Sequence, residues 1–162
     1  MKRTILVVAL MWCSTVPFVA IAGPSAEPAP AAGPQPAAKT APKTFRGLEM
    51  SVAGVERAMS AGLADCPPGA NTVKAMARPG QEYAIVQLNV KVLPGFKPVQ
   101  LRKVMLTDAA GKTYNTAVAF VDVGKVPEFT CNFPFPVAQG TKLMKFQVEE
   151  ASFDISGLEM KD

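Results

Sequence analysis

The protein is a chain of 162 residues with 17 Lys and Arg, 13 Asp and Glu, and no histidine, a length that suggests one domain once non-folding segments are set aside. Its net charge of +4 is too small to indicate nucleic-acid binding. The lack of histidine excludes His-based catalytic triads, imidazole general bases and the usual zinc ligand sets.

Residues 1–22 have the three parts of a secretory signal peptide. Lys2 and Arg3 form a charged start, an apolar stretch follows, and Ala-Ile-Ala directly before Gly23 is an A-x-A-like cleavage site. An uncleaved membrane anchor is the alternative, but it would need about 20 apolar residues and Pro17 interrupts the run. We therefore expect a secreted or periplasmic mature chain with no stable membrane span. Removal of Lys2 and Arg3 leaves 15 basic residues against 13 acidic ones, a net charge of +2.

A change of composition follows the signal. Residues 23–43 are almost all Pro, Ala, Gly and small polar residues, with no apolar side chain larger than Ala. Such a segment cannot offset the entropy of ordering by burial, and alternating Ala-Pro favours extended polyproline II. We predict a disordered Pro/Ala-rich linker over 23–43 and a folded domain over 44–162, which is long enough to bury a core.

Period-two alternation of apolar residues predicts that this domain is built from β-strands. The clearest run is Glu82–Val92, in which every second residue from Ala84 onward is apolar and shares one face. Shorter strand-like runs lie at 48–52, 104–107, 112–120, 129–135 and 146–148, and the second and third of these predict a hairpin. Short strands between Gly- and Pro-containing turns, with no long amphipathic helix, indicate an antiparallel β-sandwich or a barrel.

The pattern also predicts local irregularities. Alternation changes phase across Gly54 and again between Val148 and Phe153, so we expect a bulge or bend at each place. Pro134 and Pro136 lack an N–H group, so the strand that contains them either ends there or lies at a sheet edge.

The stretch Ala58–Arg78 shows no period, and we expect a long irregular connection that is functional or tied down. It contains Cys66, and Cys131 is the only other cysteine outside the signal peptide. An even count in an exported chain indicates a structural disulfide. A redox role would need a close partner, as in C-x-x-C, and Cys66 has none.

Three segments together resemble a family of exported immunoglobulin-like domains typified by the immunogenic extracellular protein of mycobacteria. They are Glu82–Val92, the span Val99–Tyr114 with its pattern D-x-x-G-K-x-Y beginning at Asp108, and Phe133-Pro134-Phe135-Pro136. The resemblance covers roughly residues 45–156. It implies an immunoglobulin-like antiparallel β-sandwich behind a signal peptide and a low-complexity tether, and it implies no activity and no catalytic residues.

Catalytic signatures are missing from the sequence. The serines lie outside nucleophile-elbow and S-x-x-K contexts, no phosphate-binding Gly loop is present, and the methionines do not cluster as copper ligands would. We expect a protein that is not an enzyme and that needs no metal or cofactor.

One segment indicates binding. No acidic residue occurs from Ala84 to Leu106, and Phe96 stands in a turn between two prolines. The cations of the segment are Lys91, Lys97, Arg102 and Lys103. A rigid aromatic residue beside cations suits a protein or an anionic envelope component, and loops on a rigid sandwich often bind. The alternative is that Phe96 folds back onto the core while the cations keep the edge soluble.

These observations favour two functions for the exported domain. The first is a non-catalytic binding or adaptor module of the cell envelope, whose partner is a protein or an anionic component. The second is a structural or accessory domain that pairs with an envelope assembly through an edge strand.

Overall fold

A computed structural model describes residues 39–158, so the predicted signal peptide and most of the predicted linker lie outside the described residues. Ten β-strands and no helix form the described range. The strands are β1 (Lys43–Phe45), β2 (Leu48–Ala58), β3 (Ser60–Leu63), β4 (Val73–Met76), β5 (Gln81–Val92), β6 (Val104–Asp108), β7 (Thr113–Asn115), β8 (Glu128–Ala138), β9 (Leu143–Val148) and β10 (Ala151–Asp154). In this part of the chain no helix is long and apolar enough to cross a membrane.

Two four-stranded antiparallel sheets contain most of the strands. The first has the order β1-β2-β5-β8 and the second the order β10-β9-β6-β7. Their inner faces meet in one apolar core, where the ring centroids of Phe133 in the first sheet and Phe146 in the second lie 5.8 Å apart. Phe135 and Phe153 extend this aromatic centre. The prediction of an all-β protein is therefore confirmed, and the two facing sheets agree with a sandwich.

The apolar and polar residues that alternate in the sequence lie on the buried and exposed faces of the strands, as predicted. Val86 and Leu88 of β5 are fully buried, whereas Gln87 between them is partly exposed. The phase change at Gly54 is a β-bulge, because the register of β2 on β5 shifts between Val52 and Gly54. The second phase change is a turn instead: Glu149 and Glu150 connect β9 to β10.

The prolines of β8 lie at the edge of the first sheet, and the strand continues past both of them. Val92 N–H donates to the Pro127 carbonyl, and hydrogen-bonded pairs alternate with non-hydrogen-bonded ones along an antiparallel ladder. The backbone nitrogens of Pro134 and Pro136, which carry no hydrogen, therefore face away from β5. The two prolines break no hydrogen bond within the sheet, and they remove two donors from its free edge.

Both ends of the described chain cover the outer edge of β2. Lys39 and Thr40 N–H donate to the Val52 carbonyl at 2.8 and 3.2 Å. Beyond the bulge, Val55 N–H donates to the Leu158 carbonyl at 3.4 Å. The folded part thus includes residues 39–43, which composition alone assigns to the linker.

The stretch Ala58–Arg78 is more regular than its sequence predicts, and the expectation of a wholly irregular connection is wrong. β3 and β4 pair antiparallel from Ser60↔Met76 to Leu63↔Val73 as a separate two-stranded sheet. Only Ala61 of this hairpin is buried. Strands with so little buried apolar surface carry a weak alternation signal, which is why the pattern misses them.

The predicted hairpin between the runs at 104–107 and 112–120 is confirmed, although its second strand, β7, is only three residues long. Its turn is built on Asp108, which is 9% exposed. The carboxylate accepts the N–H groups of Ala110 and Lys112 at 2.9 Å each and the hydroxyl of Tyr114 at 2.8 Å. The D-x-x-G-K-x-Y pattern is therefore a turn-capping device.

We predict that Asp108 makes stability depend on pH. The hydrogen bond from Tyr114 and those from the two N–H groups lower the pKa of Asp108, whereas burial raises it. The hydrogen bonds outweigh burial, so the pKa lies below its ordinary 3.8. A carboxylate with a depressed folded-state pKa stabilises above its unfolded pKa and loses that contribution as pH falls through the folded value. Urea unfolding should show Asp108→Asn less stable than wild type by a constant margin at neutral pH, and the margin should shrink below pH 3.8. A margin that stays constant into strong acid would contradict the assignment.

Candidate functional site

Four connections meet at one end of the two sheets, which we call the loop end. They are the β1–β2 turn at 46–47, the β5–β6 loop at 93–103, the β7–β8 loop at 116–127 and the β9–β10 turn at 149–150. Leu93 N–H donates to the Gly47 carbonyl at 2.9 Å, and Glu149 N–H donates to the Lys103 carbonyl at 2.8 Å. These bonds fix the long β5–β6 loop to both sheets.

The two long loops enclose an open groove of about 600 Å³. One wall comes from the β5–β6 loop, where three of four lining residues are apolar, and the other from the β7–β8 loop, where two of five are apolar. The groove is lined by Phe96, Pro98, Val99, Gln100, Phe120, Asp122, Val123, Gly124 and Lys125. Several hundred cubic ångströms with apolar walls is the size range of a ligand or peptide site.

Phe96 is a wall of this groove and also a partial plug of the core. Its side chain is half-buried and packs against the core cluster. A Cβ atom added at Gly47 would lie 3.0 Å from Phe96 Cα, and one added at Gly124 would lie 2.8 Å from Phe96 Cε1. Gly47 therefore leaves room for the Phe96 backbone and Gly124 leaves room for its ring, so the slot for Phe96 exists because both residues are glycines.

A second section of about 430 Å³ continues the groove along the same loops. Gln100 and Phe120 belong to both sections, and Arg102, Val104 and Val118 line the second. We use the name groove below for the two sections together.

The backbone of Cys66 forms hydrogen bonds with the residues on either side of Phe120. Cys66 N–H donates to the Ala119 carbonyl and Val121 N–H donates to the Cys66 carbonyl, each at 2.8 Å. The Phe120 ring lies 5.3 Å from that of Phe133. The structure joins Cys66 to Cys131 of β8 by a disulfide with a Cα–Cα distance of 5.5 Å, within the range that a disulfide allows. The predicted cysteine pair thus anchors one wall of the groove.

The structure separates the predicted cations. Lys91 lies on β5 away from the groove, with Glu49 and Glu128 as cross-strand neighbours, and pairs with Glu128 at 3.4 Å. Lys97 is exposed between the groove residues Phe96 and Pro98. Arg102 lines the groove and Lys103 is exposed beside it.

Glu149 organises the backbone beneath these last two cations. Its carboxylate accepts the N–H groups of Arg102 and Lys103, the latter at 3.0 Å. Partial burial raises the pKa of Glu149, but the two N–H groups and the nearby cations outweigh burial, so the pKa lies below its ordinary value. The acid-free run in the sequence therefore receives acidic neighbours from elsewhere in the fold, namely Glu49 of β2, Glu128 of β8 and Glu149 of the β9–β10 turn.

Sequence reasoning finds part of one wall of the groove and none of the other. It identifies Phe96, Lys97 and Arg102, but not Phe120, Val123, Gly124 or the ion pair between Asp122 and Lys125 at 2.7 Å. No local pattern marks the β7–β8 loop, which reaches Phe96 only through tertiary packing. Among residues 39–158, no three acidic or cysteine side chains are grouped so as to hold a metal ion.

Comparisons with protein-family models, with curated proteins and with solved structures found no match to this chain. The resemblance to exported immunoglobulin-like domains therefore stays a prediction, and the function rests on the groove.

Proposed function

We propose that this protein is an exported, non-catalytic binding or adaptor module of the cell envelope that holds a protein partner in the groove at its loop end. The observation that carries the proposal is the groove itself, a preformed apolar cleft between two loops that are fixed to a rigid double sheet. A preformed site requires little ordering on binding, which favours affinity. The predicted signal peptide and the disulfide support an exported location.

The strand order supports an immunoglobulin-like fold for the module. Strands β2, β5 and β8 follow the arrangement A-B-E of that fold, and β10, β9, β6 and β7 follow G-F-C with an added C′ strand. The disulfide departs from that of antibody domains because it connects β8 to Cys66, in the loop between β3 and β4, instead of joining the two sheets at their centre.

Replacing Phe96 by Ala should weaken partner binding at least about tenfold, the effect of losing an aromatic anchor. Because the ring is only half-buried, the free energy of unfolding should fall by no more than about 1.5 kcal/mol. Affinity capture from envelope extract with the exported protein as bait, followed by titration of the captured partner, measures the first quantity, and urea unfolding measures the second.

Lys97→Gln is the matched control, because Lys97 is exposed beside Phe96 and should alter mainly the salt dependence and association rate. Lys91→Gln, on the other side of the loop end, should leave binding unchanged. If Phe96→Ala bound the partner as well as wild type does, the groove would not be the binding site.

The edge of β4 favours a second function, pairing with an envelope assembly. β4 pairs with β3 on one side and, among the described residues, with no strand on the other. Val73 and Met76 on this strand are 66% and 67% exposed. Lys74 in its middle discourages unspecific pairing, so we place this function second.

A further inference from the structure

We propose that the groove takes one extended, acidic segment of a partner protein, which pairs through its main chain with the Phe120 edge and inserts an apolar side chain beside Phe96. This inference rests on the proposed function and specifies the chemistry of the partner.

The main-chain part of the proposal comes from the bonding of Phe120. In the parallel bridge between Cys66 and Phe120, the bonds to Cys66 come from Ala119 C=O and Val121 N–H. Alternation along an extended chain turns the N–H and C=O of Phe120 itself to the opposite side. Within residues 39–158 neither group has a hydrogen-bond partner. An extended peptide can supply one donor and one acceptor there, which is the basis of β-strand addition.

The charge of the groove selects an acidic segment. Asp122 and Lys125 neutralise each other within the wall. Lys97, Arg102 and Lys103 remain as exposed cations along the β5–β6 loop, and Glu149 opposes them while its carboxylate is held by the backbone beneath. Cations therefore outnumber anions along the groove, and an acidic segment complements them.

The apolar part of the segment has a defined position. Phe96, Pro98 and Val99 of one wall and Val123 of the other give the groove an apolar part, next to the cations. An apolar side chain is buried there while acidic residues on either side of it reach Lys97 and Arg102. A purely polar acidic tail would leave this apolar part uncovered, so we expect both features in one segment.

Selection from a phage-displayed library of random peptides of about twelve residues tests the proposal. The purified exported protein is the bait, and a Lys97→Glu/Arg102→Glu variant is used for counter-selection. Both substituted residues are exposed, so thermal unfolding should be unchanged. Enriched peptides should carry net negative charge around an apolar residue. The tightest synthetic peptide should bind the variant at least about tenfold more weakly, and N-methylation of alternate amides should also weaken it at least about tenfold.

Enrichment of neutral or basic peptides, no enrichment at all, or N-methylation without effect would each overturn this inference. The proposed function stands after any of these results if Phe96→Ala still weakens binding of the envelope partner at least about tenfold. If Phe96→Ala leaves that binding intact, the proposed function fails together with the inference.

Discussion

Replacing both Cys66 and Cys131 by serine should lower the free energy of unfolding by more than about 4 kcal/mol. The bond closes a loop with a sequence separation of 65 residues, and in the loop-entropy model a crosslink over that length stabilises by about 4 kcal/mol. Both cysteines are also buried, at 0% and 2% exposure, so the polar replacements add a desolvation cost. Urea unfolding of the oxidised wild type and of the double variant measures the difference.

A reduced wild-type sample is the control, because reduction opens the crosslink while keeping the cysteine side chains in the core. Its loss of stability reports the crosslink alone, and the further loss in the double variant reports the buried hydroxyls. Because the Cys66 backbone holds Ala119 and Val121, both samples should also lose groove binding. Equal stability of all three samples would contradict the role that we assign to the bond.

Gly124→Ala should destabilise the fold by about 3 kcal/mol and abolish groove binding. Gly124 has φ +106, a conformation that residues with a Cβ rarely adopt, and its new Cβ would lie 2.8 Å from the ring of Phe96. Backbone strain of this kind costs about 1–3 kcal/mol, and forcing an extra methyl against a packed ring costs a similar amount. The ring must then leave its slot, which removes one wall of the groove.

The matched control is Gly80→Ala, where φ is +77 and no heavy atom lies within 4 Å of the new Cβ. It should show backbone strain without loss of binding. In a double-mutant cycle, Phe96→Ala should recover part of the stability that Gly124→Ala loses, because the clash disappears with the ring. Additive effects in that cycle would mean that the two residues do not touch.

The sequence predicts the sheet interior well because burial of one strand face requires an apolar residue at every second position. β2, β5 and β8 show this alternation, and Gly54 marks the bulge that interrupts it. The hairpin of β3 and β4 shows no such alternation, since Ala61 is its only buried residue. The turn at Glu149 and Glu150 resembles a phase slip in sequence, because a two-residue connection and a bulge shift the alternation alike.

The candidate site is only partly predictable for a different reason. Phe96 is conspicuous between two prolines, but its slot depends on Gly47 and Gly124, which are distant in sequence. The cations are local, whereas Glu128 and Glu149 approach them from β8 and the β9–β10 turn. A run without acidic residues therefore does not define an electrostatic surface, because neighbouring strands contribute charges that the run does not contain.

The position of β1 determines how the domain responds to mechanical load. The chain enters beside Val52, and β1 then runs along β2 toward the loop end, with Lys43 opposite Met50 and Phe45 opposite Leu48. A partner held in the groove and a chain anchored ahead of Lys39 would pull β1 along its own length. The hydrogen bonds to β2 would then bear the force together in shear instead of opening one at a time. The C-terminal segment at Val55, on the other side of the bulge, lies outside that line of force, so the bonds of the short first strand would be the first to carry such a load.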